Sequence, residues 1–410
     1  MQPKAILQPP VENVNEPPPS TRLNGVGGVV IGGDYQGLGI VRSLGRRGFP
    51  VCIIDDEHSI SRYSRYATHF VRVKNLRDEQ ETLKAVLDAG RQLKLQGWIL
   101  YPTRDETVAT FSKHRGILSG FFRVPTPGWN VIEWAWDKRK THELAQKLGI
   151  GTAKTWFPDC VDDLERISAK FPLVIKPAIK EHFIYETRVK AWRADSRGDL
   201  VRLFQKAAVF VPKGEIMIQD LIPGGSEQMF GYCAFFKNGS AMGSMVTQYK
   251  RQHPPQFGRS CTCVETVEHP EVEALALKFL KAMDYYGLVE LEFKLDSRDG
   301  QYKLLDVNSR TWGYHALGAT AGVDFSRMLF EDQIGADVQP ARARPNVTWI
   351  RLATDFPVGV LAVLRRQVKP WAYLKSVTTF DIESVFTFED PLPSVMETAF
   401  IPYLFYKRGY

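Results

Sequence analysis

The chain has 410 residues, 44% hydrophobic and 24% charged, which is ordinary globular composition with length for two or three domains. A formal charge of +7 with no long Lys/Arg run behind it points to small anionic substrates ahead of nucleic acid. Five scattered cysteines, odd in number and without zinc spacing, argue against a disulfide framework and read as reduced thiols of a cytoplasmic protein.

Residues 1–24 hold Pro9-Pro10 and Pro17-Pro18-Pro19 and little that would build a core, so a disordered tail is expected there. Met1-Gln2-Pro3-Lys4 lacks the apolar stretch of a secretory signal. A short buried-type strand, Gly27–Ile31, is followed by the glycine loop Gly32–Gly39, a helix ending near Gly48 and a second strand, Val51–Asp56. Trp98–Pro102 reads as a later strand. This is a Rossmann-like start, but its glycines fall as G-x-x-x-x-G-x-G and not as the G-x-G-x-x-G of dinucleotide sites. Tight strand–helix packing is therefore the expected role of these glycines. A dinucleotide oxidoreductase built on residues 27–56 is a rival that explains nothing after residue 131.

Val131–Leu148 reads as one helix stopped by Gly149, followed by an extended link over Gly151–Pro158. A strand Leu173–Lys176 ends at Pro177, and an amphipathic helix covers 197–208. Strand Ile216–Gln219 runs into Asp220–Gly225. Further strands are expected around 229–236 and 241–248, and a helix over 270–283. Val289–Lys294 and Leu304–Arg310 alternate apolar with polar, the period of strands with one wet face. The turn formers Asp296-Ser297-Arg298-Asp299-Gly300 between them predict a hairpin. Such a hairpin would gather Glu290, Glu292, Asp306, Asn308 and Arg310 on one face. Oxygen donors of this kind suit Mg2+ carrying a nucleotide phosphate, and the Arg suits a transferring phosphoryl group. No chemistry is legible from about Ala336. The apolar run Phe356–Leu364 is too short to span a bilayer and contains Pro357 and Gly359.

Taken in order, Val174-Ile175-Lys176-Pro177, Gln219-Asp220-Leu221-Ile222-Pro223-Gly224, Glu290-x-Glu292-Phe293 and Asp306-x-Asn308-x-Arg310 resemble the ATP-grasp superfamily. Within it, the likeness is to carboxylate-amine ligases and carbamoyl-phosphate-synthase-like members. The resemblance implies an α/β (α+β) chain with a Rossmann-like pre-ATP-grasp domain over 25–130. A two-lobed ATP-grasp domain would follow over 131–335, with a small lobe over 131–215 and a large lobe over 216–335, and then a C-terminal extension over 336–410. It implies an ATP-dependent ligase that activates a carboxylate as an acyl-phosphate and joins it to an amine. A non-catalytic nucleotide-binding module is the alternative. The partners implied are ATP with Mg2+ or Mn2+ and small carboxylates and amines, with no nucleic acid, no stable membrane insertion, and a homodimer left open.

The same resemblance assigns Lys138 and Lys176 to the phosphates and Gln219, Asp220, Leu221 and Ile222 to the adenine hinge. Asp220 and Glu227 fall where ribose acceptors stand, and Glu292, Asp306 and Asn308 where metal ligands stand. Arg310, with Lys176, would be catalytic. Lys250, Arg251 and Arg259 resemble a basic loop over the site, while His315 reads as a buried or capping histidine. The segment 178–190 departs from the family pattern by lacking glycine altogether, so Lys180, His182, Arg188 and Lys190 are candidates to replace backbone amides as phosphate contacts.

Overall fold

Continuous apolar runs are what a parallel strand buried on both faces requires. Gly28–Ile31, Val51–Asp55 and Ile99–Pro102 are buried along their whole length in the computed structural model, which describes residues 25–408. The tail expected over residues 1–24 lies outside the described residues. With His69–Arg72 these strands form a four-stranded parallel sheet in the order His69–Arg72, Val51–Asp55, Gly28–Ile31, Ile99–Pro102. The glycine loop packs as its spacing predicts: a Cβ on Gly37 would strike the carbonyl oxygen of Gly32. The helix Tyr35–Gly45 begins there, capped by the Asp34 carboxylate.

A second, antiparallel sheet of four strands runs in the order Thr155–Trp156, Ile216–Asp220, Leu173–Pro177, Trp192–Ala194. Phe183, Leu200 and Phe204 from its helices pack on Leu173, Ile175 and Ile218. The third sheet has eight strands. Its path is Gln301–Asn308, Gly287–Asp296, Met229–Lys237, Ser240–His253, Ser260–Val267, Thr348–Ile350 and Ile382–Glu383, with Ala341–Arg342 paired to Ser240–His253. The helix Pro270–Ala282 covers it through Phe279 and Leu280, against Phe230, Leu291 and Phe293. The segment after residue 336 thus contributes strands to this same sheet.

Two local departures from the expected elements position the site. The helix expected over Val131–Leu148 is two helices, Trp129–Trp136 and Lys138–Lys147, broken where Asp137 turns extended and caps the second through the Arg139 amide. The break leaves Lys138 at the first position of a helix, free to aim across the interface. The expected hairpin is present, but a bulge interrupts it: Glu292 faces Asp306, whereas Phe293 faces Leu304, so Leu305 is the extra residue. Strict alternation would put Leu304 on the face of Asp306. The bulge sends Leu304 into the core beside Phe293 and leaves Leu305 and Asp306 on the open face.

Gly231 lies opposite Glu292 in the sheet, and a Cβ there would meet the hydroxyls of Tyr314 and Thr247. Gly231→Ala is expected to destabilise the fold by about 1–3 kcal/mol. A denaturant midpoint matching the parent protein would contradict this close packing.

Candidate active site

The second and third sheets face each other across a cavity of about 230 Å³, with Tyr35 and Gln36 of the first helix at its third side. The bulged hairpin supplies its acidic floor. Glu292 sits opposite Asp306, and Glu290 opposite Asn308. The Asn308 amide nitrogen donates to Glu290 Oε2 at 3.0 Å and to Glu292 Oε1 at 2.9 Å. Glu290 also accepts from the Tyr249 hydroxyl at 3.1 Å and from the Tyr314 hydroxyl. Burial, and then the charge of Glu292, push the Glu290 carboxyl up to about 7.

The opposite wall is basic. Lys138 donates from its Nζ to Asp306, while Lys176, Lys180 and Lys190 also line the cavity. Burial on its own would raise the Asp306 carboxyl, but Lys138, Lys190 and Lys180 outweigh it and hold that carboxyl well below its ordinary range. Lys176 is lowered to about 7 by burial and then by the neighbouring charge of Lys138. A lysine in that state is short of an anion. The same burial, followed by Lys176 and Lys138, drops His142 to about 3, so its ring is neutral. Its Nε2 takes a 2.8 Å hydrogen bond from the Gln219 amide, which also donates to Thr155 Oγ1 at 2.7 Å.

Arg310 donates to Asp105 at 3.0 Å and to the Asn308 side-chain oxygen Oδ1 at 3.2 Å. Asp105 also pairs with Lys180. Burial opposes charge on each member, but mutual attraction outweighs it: Asp105 is held well below its ordinary range, and Arg310 and Lys180 are raised. Sequence reasoning missed Asp105. Its signal was available, because it opens the helix Asp105–Lys113 just past the carboxyl end of a parallel strand, where such sheets bind ligands. Lys294, at the end of the same alternating row as Glu290 and Glu292, also lines the cavity. Its Nζ donates to the carbonyls of Ile222 at 2.9 Å and Gly224 at 2.8 Å, pinning the connection between the second and third sheets.

Among the residues expected from sequence, Lys138, Lys176, Gln219, Asp220, Leu221 and Ile222 all line this cavity, as do Glu292, Asp306, Asn308, Arg310 and Arg259. Glu227 does not line it; its carboxylate accepts from the Gly225 amide at 3.1 Å within the turn Ser226–Gln228. Lys250 and Arg251, expected over the site, do not line the cavity. The strand Ser240–His253 is irregular between Tyr249 and Gln252, so those two line the cavity while the residues between them do not. Lys250 pairs with Glu265 at 2.6 Å, and Arg251 makes a bidentate pair with Asp355 at 2.8 and 2.9 Å. In the glycine-free segment, Lys180 and Lys190 reach the cavity. His182 instead contacts Glu215 at 2.7 Å, and the helix Glu181–Thr187 stands where a flexible loop was the family pattern. His315 is buried, with Nε2 2.9 Å from the Gln36 carbonyl.

The dinucleotide alternative finds its acid already engaged: Asp55 accepts from the Gly33 amide at 2.7 Å, the Glu57 amide at 3.0 Å and Arg104 at 2.9 Å. For a divalent cation the donor chemistry fits differently. Among the described residues no three His, Cys, Asp or Glu side chains form a complete metal cage. Glu292, Asp306 and the Asn308 amide oxygen make an open set that suits an ion bringing phosphate oxygens and water with it. Such a cation would offset the charge of Glu292, which adds to burial in raising Glu290.

No protein-family model matches the chain. A D-aspartate ligase of Enterococcus faecium (strain Aus0004) is 21% identical over 322 residues, 75% of this chain and 76% of the relative. Among solved structures, an L-amino acid ligase from Bacillus licheniformis superposes with a TM-score of 0.59 at 16% identity, over 79% of this chain and 78% of its own. An N5-carboxyaminoimidazole synthetase from Staphylococcus aureus, complexed with ADP, does so with 0.61 at 14% identity, over 79% and 81%. Among the described residues no helix is long and apolar enough to cross a membrane.

Asp105 neutralises two cations at a partly buried junction, so Asp105→Ala leaves both uncompensated. Stability measured by urea unfolding is expected to fall by about 1–3 kcal/mol. A change within about 0.5 kcal/mol would mean that solvent already screens the cluster.

Proposed function

We propose that this chain, which has the ATP-grasp fold, is an ATP-dependent ligase that activates a carboxylate as an acyl-phosphate and joins it to an amine. The observation that carries this reading is one cavity in which Lys138, Lys176 and Lys190 face the hairpin acids Glu290, Glu292 and Asp306, with Lys176 lowered to about 7 by burial and then by Lys138. A triphosphate satisfies the cations, and a divalent ion satisfies the acids.

In this reading Lys138, Lys176 and Lys190 hold the phosphates by charge-assisted hydrogen bonds. The segment Gln219–Ile222 receives the adenine edge along its backbone, and Asp220 accepts from the ribose hydroxyls, with Glu227 as a second candidate. Glu292, Asp306 and Asn308 would hold Mg2+ or Mn2+, which would draw negative charge from the phosphate oxygens. Arg310, oriented by Asp105 and Asn308, stabilises charge on the phosphoryl group as a substrate carboxylate oxygen attacks the γ-phosphorus and ADP leaves. The amine then attacks the acyl carbon, phosphate departs, and the ammonium proton passes to solvent. Arg259, from the turn over the cavity, is placed to hold a carboxylate or phosphate. D-aspartate and L-amino acids, named for the relatives, are the first substrates to try.

The purified chain with ATP, Mg2+ and panels of amino acids and amines is expected to release ADP with some pairing. No release with any pairing, together with no nucleotide binding, would sink the proposal. Asp306→Asn is expected to cut turnover by roughly 100-fold or more while leaving the thermal midpoint near that of the parent. A charge test is independent of the acceptor. Free Lys176, near 7, is mostly neutral at about pH 8, and bound phosphate returns it toward its ordinary range, so binding takes up close to one proton. Calorimetry of ATP binding in buffers of different ionisation heat should show uptake at about pH 8 and little at about pH 6; equal uptake at both would exclude Lys176 as its source.

A further inference from the structure

Four large apolar side chains are exposed before residue 352 among the described residues, and eleven between 356 and 401. This concentration is not the scatter of an ordinary surface. It begins on the helix Leu352–Leu364, whose polarity is reversed. Ala353, Phe356, Pro357, Val360, Leu361 and Leu364 fall at i, i+3, i+4, i+7, i+8 and i+11, and all are exposed. Its buried side carries Thr354 and Asp355 beside Val358 and Gly359. Phe356 is 63% exposed, Leu364 74%, and Trp371 on the following helix Pro370–Thr378 76%. Among the described residues no helix covers this stripe.

The two helices are held in place by polar anchors on the inner side. Asp355 is fully buried and accepts from Arg251 and from Thr262 at 2.7 Å. Arg251 also reaches Ser376 at 3.0 Å and stacks on Tyr373. Gly359 lets the Tyr373 ring approach the helix backbone closely. The outward apolar stripe is therefore a fixed feature of a braced helix pair.

Charge selects the occupant. Between residues 352 and 380 every exposed charged side chain is a cation: Arg365, Arg366, Lys369 and Lys375. An apolar stripe with Trp371 and basic residues at its margin matches an interfacial helix on anionic lipid. A second copy fits worse, because a two-fold interface centred here would bring the same four cations toward one another. We propose that the helices Leu352–Leu364 and Pro370–Thr378 dock on an anionic lipid surface, lying in the headgroup plane without spanning it. The proposal does not depend on the ligase reading.

Full-length protein is to be sedimented with vesicles of phosphatidylcholine, alone or with about one-third phosphatidylglycerol. Binding is expected to the anionic vesicles and to weaken with salt. Leu364→Glu with Trp371→Glu should lower it by roughly tenfold or more. Arg365→Gln, Arg366→Gln and Lys369→Gln together should abolish the preference for anionic lipid. All these side chains are exposed, so the thermal midpoint serves as the control for folding and should not move. No binding to either vesicle, or binding indifferent to both sets of substitutions, overturns the proposal. So does a dimer in solution that Leu364→Glu with Trp371→Glu dissociates, which would assign the face to a second copy.

Discussion

The site depends on one register. Pairing Glu292 with Asp306 and Glu290 with Asn308 stacks three carboxylates and an amide on a single sheet face, beneath the lysines that the second sheet and the helix Lys138–Lys147 carry. A sheet face tolerates that density of acid only where cations or an incoming metal offset it. The bulge at Leu305 makes the pairing compatible with a closed core, since it turns Leu304 inward without turning Asp306 away. Shifting the strand by one residue would exchange the acids for the apolar row.

Much of this was legible in the sequence because period and chemistry coincide in the hairpin. Alternation put Glu290, Glu292, Asp306 and Asn308 on the face where the structure has them. The strand-ending Lys176 was legible for a related reason: a lysine at the end of a buried strand needs an anion or an exit to water. What escaped was geometry without a local signal. The break at Asp137 lies inside an unbroken helical pattern, and nothing adjacent marks it except a residue able to cap. The irregularity that turns Lys250 and Arg251 away from the cavity is set by pairing with a strand beyond Gly258, which local composition does not encode. Asp105 is marked by its place at a strand's carboxyl end, but its partners, Arg310 and Lys180, are distant in the chain, so the pairing itself has no local signal.

The segment 178–190 resolves a conflict between the resemblance and the residues. Without glycine its backbone is not disposed to wrap a phosphate, and it folds into the short helix Glu181–Thr187, whose Phe183 anchors it in the core beneath the second sheet. Lysine side chains on either side of that helix reach the cavity in place of amides. Point charges on flexible stems attract phosphate strongly but orient it less than a ring of N–H groups does. Among the side chains lining the cavity, Arg310 is one with a fixed fork.

The bond from Arg310 to Asp105 joins the end of the third sheet's hairpin to the helix that follows the first sheet's last strand. A guanidinium leashed by another folding unit is aimed only after both units have formed and met. A chain still emerging from the ribosome, or one whose first unit has melted, carries Arg310 without the aspartate that holds it. The orientation of one side chain is in this way made contingent on the folding of a part of the chain some two hundred residues away.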